Sequence, residues 1–180
     1  MSTQQGMLNA IAKAYRAILL NRLVDPDQDA QLALSQVYEA AVADYVDGSP
    51  PLVIQIIPGD VAPAGGGDGA QDGGGLVRGV RVTLCVFRRM LYDQRQRSAE
   101  ALTRSSQGIL DLFDAIRAIF ALTTFGGLLA EPVKYAGETV TQWENVDKGI
   151  LRREISFMNV FALVLPVAAT TTDDDLVLPE

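Results

Sequence analysis

A chain of 180 residues with 48% hydrophobic and 21% charged residues is long enough to bury a core and balanced enough to fold as one soluble domain. Its formal net charge of −7 argues against a general duplex-binding module, because such proteins gain affinity by neutralising phosphates with an excess of Lys and Arg. The lack of histidine removes the commonest metal ligand and general base, and with them any Ser-His or Cys-His nucleophile pair, which excludes most hydrolase mechanisms.

The single cysteine, Cys85, sits in the apolar run Val82 to Phe87 and reads as a small core residue. Met1 to Leu8 has neither the basic start nor the apolar run of a secretory signal, so export by that route is not expected. The most apolar stretch, Ile155 to Ala169, is broken by Asn159 and Pro166 and is shorter than the roughly 20 residues that a membrane-spanning helix needs.

In chain order, Leu8, Ile11, Tyr15, Ile18, Leu19 and Leu23 recur at three- and four-residue spacing and predict an amphipathic helix that ends at Asp25-Pro26. A second helix is expected from Asp27 or Asp29 to Val46, burying Leu34, Val37, Tyr38, Ala41, Val42 and Tyr45. Gly48-Ser49-Pro50-Pro51 ends it, and Leu52 to Ile57 predicts a short buried strand. Pro58 to Gly75 has seven glycines from 65 onward and no apolar period, so a flexible hairpin-like loop is expected there and not a domain boundary.

Leu76 to Met90 predicts a strand with Val80, Val82, Leu84 and Val86 on one face and Arg81, Thr83, Cys85 and Phe87 on the other. Between Asp93 and Phe125, the stripe Leu102, Ile109, Leu112, Phe113, Ile116, Ile119 and Phe120 predicts a long helix stopped by Gly126-Gly127. Three strands are then expected, Leu128 to Tyr135, Thr139 to Val146 and Ile150 to Leu165, with turns at Ala136-Gly137 and at Asp147-Lys148-Gly149. Thr170 to Glu180, with Asp173, Asp174 and Asp175 in a row, reads as an acidic tail that becomes ordered only on a partner.

No polar constellation completes a catalytic or metal site. Asp25, Asp27 and Asp29 have the spacing that opens a calcium loop, but Ala30 stands where a glycine is needed and Gln36 where a bidentate Glu is needed. The Gly65 to Gly75 loop lacks the Gly-Lys-Ser/Thr ending of a phosphate loop. Glu138, Glu144, Asp147 and Glu154 supply carboxylates for a glycosidase-like pair, with Trp143 beside them, but nothing in their spacing requires that chemistry. Seven of the twelve arginines, Arg78, Arg81, Arg88, Arg89, Arg95, Arg97 and Arg104, fall within 27 residues. Such a cluster suits a contact where a neighbour supplies Asp or Glu, and equally suits a solvated, aggregation-resistant edge.

The order of these elements resembles the tail terminator, or tail completion, proteins of long-tailed bacteriophages. The likeness rests on the helix beginning Met7-Leu8-Asn9-Ala10-Ile11, on the strand Gly79 to Phe87 followed by the helix Ser98 to Leu122, and on the closing strand Arg152 to Leu163. The resemblance implies an α/β (α+β) fold, with a mostly antiparallel sheet backed by amphipathic helices in a single domain over residues 1–169, followed by the acidic tail 170–180. It implies no enzymatic activity and no cofactor. The implied role is a structural virion protein, made in the host bacterial cytoplasm, that assembles as a ring, a hexamer by the resemblance, on the head-proximal end of the tail tube. There it would stop tube polymerisation and join the tail to the neck.

The implied partners are further copies of the chain, the tail tube protein, neck or head-completion proteins and, in a contractile tail, the sheath. DNA would pass through an acidic lumen without specific binding. Arg88, Arg89, Arg95 and Arg97 are the candidate contacts to a neighbouring copy or the tube, and Asp173, Asp174 and Asp175 the candidate contacts to axial partners. A neck or sheath-contacting adaptor is the alternative role, and a carboxylate-based hydrolase a more distant one.

Overall fold

In the computed structural model, which describes residues 4–23, 37–63, 75–89 and 99–164, the first apolar stripe becomes helix α1 (Gln4–Leu23). Its buried side chains Met7, Ile11, Tyr15 and Leu19 recur every four residues and so form one line on the helix, while Lys13 and Arg22 face solvent. The chain continues through β1 (Val37–Glu39), β2 (Leu52–Pro63), β3 (Gly75–Arg89), helix α2 (Ala99–Phe120), β4 (Lys134–Glu138), β5 (Gln142–Asn145) and β6 (Ile150–Val164). The six strands form one sheet in the order β1-β2-β3-β6-β4, with β5 also on β6. Only the β1–β2 pair is parallel, so the chain is a single α+β domain built on a mostly antiparallel sheet.

The centre of the sheet is the pair β3–β6, in register from Gly75 opposite Val164 to Arg89 opposite Ile150. On the outer side of β6, β5 lies along its first residues and β4 along Ile155 to Met158, so two short strands share one edge. Strand alternation puts Val80, Val82, Leu84 and Val86 of β3 with Ile155, Phe157 and Phe161 of β6 on the face that both helices cover. From α2 that core receives Ile109, Phe113, Ile116 and Phe120, again at three- and four-residue spacing.

At the centre of this layer, the ring of Tyr15 lies 4.5 Å from Phe120 and 5.0 Å from Phe125, and Phe120 lies 5.4 Å from Phe157. The Tyr15 hydroxyl donates to Asn159 Oδ1 at 3.0 Å, and Asn159 Nδ2 reaches the carbonyls of Val80 and Phe157 at 3.4 and 3.3 Å. Asn159 is fully buried, and these bonds offset the cost of taking an amide out of water.

The opposite face has a smaller cluster, Val53, Cys85, Phe87 and Ile150, covered by Tyr38, Ala43 and Tyr45. Buried Gln55 holds this cover in place. Its amide donates to the Tyr38 hydroxyl at 2.7 Å and to the Asp44 carbonyl, and its Oε1 accepts from the Asp44 backbone at 3.1 Å.

Four sequence expectations are corrected by this architecture. The expected second helix does not exist over 37–46: Val37 to Glu39 is a strand and the rest is irregular, while residues 24–36 lie outside the described residues. The open edge of β2 offers unpaired backbone groups at Ile54 to Ile56, which β1 satisfies, and Arg16 Nε donates to the Val37 carbonyl at 2.9 Å, tying β1 to α1. Val42, placed on the expected buried stripe, is 70% exposed. Local helical periodicity lost to tertiary pairing.

The second correction concerns residues 128–146. Leu128 to Val133 forms turns and bends, β4 begins at Lys134, and Ala136-Gly137 lies inside β4 at a bulge where Gly137 has φ +128°. Beyond it, Thr139 N–H continues onto the Glu154 carbonyl at 3.0 Å, so the strand hugs β6 instead of turning back on itself.

The third is the end of α2. The helix stops at Phe120, with a last helical bond from Ala121 N–H to the Arg117 carbonyl, and the reversal is made by Leu122 at φ +61° and Phe125 at φ +52°, ahead of the two glycines expected to stop it.

The stretch expected to be a loop from Pro58 also begins as strand, since β2 runs to Pro63 and re-pairs with β3 after a bulge at Gly59-Asp60. A Cβ at Gly59 would sit 3.0 Å from the Arg81 carbonyl oxygen, a tight approach that glycine makes without displacing the neighbouring strand. Residues 64–74 lie outside the described residues, but the strands on either side are antiparallel neighbours, as a hairpin excursion requires.

Candidate functional site

Three of the four carboxylates proposed for a hydrolytic pair, Glu138, Glu144 and Glu154, are taken up by arginines of β6, and Asp147 lies in the turn before it. Glu138 accepts from Arg153 at 2.8 Å and lies 3.5 Å from Arg117, which also pairs with Asp114 at 2.9 Å. Arg152 pairs with Glu144 at 3.2 Å and also with Glu154. Arg153 sits 5.2 Å over the Phe113 ring and Arg152 5.9 Å over Phe87, so each guanidinium also packs on the core. Burial pulls the Arg152 pKa down, but its hydrogen bonds to Glu154 and Glu144 more than offset this and the net shift is upward. These charges brace β4 and β5 against β6, and do not converge on a cleft.

Trp143 is half-buried against the main core from β5, in a packing position. Burial pushes the Cys85 thiol up to about 12, with Arg152 pulling the other way, and the thiol contacts Glu154 Oε1 at 3.8 Å. A buried thiol that stays protonated is a poor nucleophile. Among the described residues no group of three or more Cys, Asp or Glu is placed to hold a metal ion, and no helix is long and apolar enough to cross a membrane. Asp25, Asp27 and Asp29 lie outside the described residues.

An open groove of ≈ 380 Å³ lies between the start of α1 and the β1–β2 edge, lined by Leu8, Ala12, Ala40 and Pro58, with Gln5, Asn9 and Glu39 at its polar positions. Glu39 is its one carboxylate, so the lining has no acid-base pair.

The arginines of β3 stand in contrast to those of β6. Arg78, Arg81, Arg88 and Arg89 have no ion pair to a carboxylate among the described residues. Arg89 donates to the Tyr45 hydroxyl at 3.0 Å and lies 6.0 Å from the centre of that ring, while its N–H bonds to the Pro51 carbonyl at 2.7 Å.

Arg88 and Arg89 end β3 at one corner of the sheet, where the turns at Val46 to Ser49 and Val146 to Gly149 are joined by the Lys148–Asp47 ion pair. Val46 and Val146 at this corner are 58% and 50% exposed. The sequence singled out the two arginines but missed the valines, since exposed valine in a turn has no local signature. Arg95, Arg97 and Asp173 to Asp175 lie outside the described residues.

No protein-family profile matches the chain, and no curated protein does. Among solved structures, it is similar to a chain from the virion of a native gene transfer agent particle, with 17% identity over 85% of this chain and 98% of that one, at a TM-score of 0.40.

Proposed function

We propose that the chain is a structural protein of a phage-like virion that closes into a ring at the head-proximal end of a tail tube, stops tube polymerisation and joins the tail to the neck. The observation that carries this reading is the order and pairing of the elements on which the tail-terminator resemblance rests. An N-terminal helix, a strand running the length of the sheet, a long amphipathic helix and a closing strand of matching length occur in that order, with β3 and β6 in full register. Glu138, Glu144 and Glu154 of the competing hydrolase reading are used in ion pairs, which favours work done by shape and contact.

On this reading, one patch of each copy meets a different patch of the next, and the rotation between copies closes the ring at a fixed number, six by the resemblance. Arg88 and Arg89, without carboxylate partners in their own described fold, are the side chains through which one copy meets its neighbour or the tube, with Arg95 and Arg97 following them in sequence. The tail tube protein and a neck or head-completion protein are the partners that this role requires. Quantitative mass spectrometry of purified particles tests the reading: the chain is expected at a fixed low copy number matching one ring per tail. Its absence from particles, or a copy number rising with tail length, would overturn it.

A further inference from the structure

The corner that ends β3 combines two arginines without carboxylate partners among the described residues, of which Arg89 leans on Tyr45, with two exposed valines. Asp47 there is engaged by Lys148, and Asp147 lies in the adjoining turn. The end of the chain carries the complementary order, Asp173-Asp174-Asp175 followed at once by Leu176-Val177-Leu178. We propose that the C-terminal segment 165–180 of one copy docks in trans on this corner of the next copy, the aspartates on Arg88 and Arg89 and the apolar triplet on Val46 and Val146. This deepens the ring reading and rests on its premise that copies associate through unlike patches.

Reach decides between a neighbour and the same chain. Strand β6 starts beside Arg89 and ends at Val164, opposite Gly75, so residues 165–180 follow on from the pole of the sheet farthest from the corner. Arg88 lies thirteen residues along β3 from Gly75, about 43 Å at ~3.3 Å per residue. Asp174 is ten residues beyond Val164. A reversal uses at least two of them, and the remaining eight span about 28 Å at full extension. Even fully extended, Asp174 falls short of its own corner by about 15 Å and Asp175 by about 12 Å, so a contact within one chain would need the whole segment and both side chains drawn straight, and a neighbour is the favoured partner. A neighbour placed with its corner near the far pole removes this constraint, and contact at both unlike poles is what a closing ring requires.

The test traps the contact without altering its charges. Val146→Cys and Val177→Cys are made in separate full-length preparations, mixed and oxidised. Buried Cys85 provides the background reading, taken from the unsubstituted chain. The expected result is a disulfide-linked dimer that forms only in the mixture and falls about tenfold when the Val146→Cys chain also carries Arg88→Glu and Arg89→Glu. A chain bearing both cysteines should give intermolecular species in large excess over an intrachain loop, since Val177 approaches its own corner only at full extension.

A mixture no more cross-linked than a control pairing Val177→Cys with Asp111→Cys on α2 would overturn the proposal, as would a double variant whose main product is the intrachain disulfide. If particles carry the chain as one ring and the mixed disulfide is absent, the docking fails and the ring reading stands. A mixed disulfide from a chain that particles lack would sink the ring reading alone.

Discussion

The buried Tyr15–Asn159 contact gives the sharpest test of how the helices are held on the sheet. Removing the hydroxyl in Tyr15→Phe keeps the ring packing against Phe120 and Phe125 but leaves Asn159 Oδ1 without its donor inside an apolar layer. A buried group left unsatisfied costs about 1–3 kcal/mol, and because Asn159 keeps its two bonds through Nδ2 the lower half of that range, about 1–2 kcal/mol, is expected. In a domain of this size that is a fall in Tm of roughly 3–7 °C. Asn159→Leu strands the Tyr15 hydroxyl instead and should cost about as much or somewhat more. The double variant leaves neither group stranded, so it should be more stable than the sum of the single losses predicts by about 1 kcal/mol. Urea and thermal unfolding of the four proteins measure the cycle. Additive losses, or a Tyr15→Phe chain as stable as the parent, would refute the idea that this bond couples α1 to β6.

Leu122 holds a left-handed backbone with its side chain 85% exposed, so Leu122→Gly should relieve strain without losing packing and stabilise by roughly 1 kcal/mol, read as a higher urea midpoint. Arg152→Met removes the cation shared by Glu144 and Glu154 and should cost about 1–3 kcal/mol, whereas losses confined to a few tenths would make the pairs ordinary surface contacts. Burial raises Cys85 from its ordinary value of 9.0 to about 12, so the unfolded chain loses its proton first. Stability from this group is therefore intact below pH 9 and falls as pH rises from 9 toward 12. The native thiol should also resist aromatic disulfide reagents until urea unfolds the chain, and rapid native labelling would contradict its burial. Arg88→Glu should leave the unfolding curve near that of the parent, and Arg89→Glu should lower it by the lost Tyr45 contact; the double variant should still fold while failing to assemble onto tubes, and unchanged assembly would remove these side chains from the contact.

What the sequence made legible follows its periodicities. The four-residue spacing of Met7, Ile11, Tyr15 and Leu19 and the alternation of Val80, Val82, Leu84 and Val86 each have one geometric solution that buries the apolar set, and both elements form there. Val37 and Tyr38 were misread because their spacing from Ala41 and Tyr45 also fits a helix, and only the open edge of β2 makes the strand preferable. Ala136-Gly137 has turn composition, yet a glycine at positive φ also serves a bulge, and the pairing with β6 decides between them. The chain reverses after α2 at Leu122 against its own propensity, which no local rule anticipates.

For the candidate site, the sequence marked the arginines of β3 and offered Glu138, Glu144, Asp147 and Glu154 as a possible acid-base set. It could not show that Arg152 and Arg153 take up the three glutamates while Arg88 and Arg89 have no carboxylate partner among the described residues, since that division depends on strand register. The two valines beside them come together only through the meeting of turns a hundred residues apart, joined by Lys148 and Asp47.

The measurement closest to the central claim is electron microscopy of particles produced without this chain. The account predicts tails of uncontrolled length or tails that fail to join heads, restored by supplying the intact chain. Infectious particles of normal tail length and normal head attachment would contradict it.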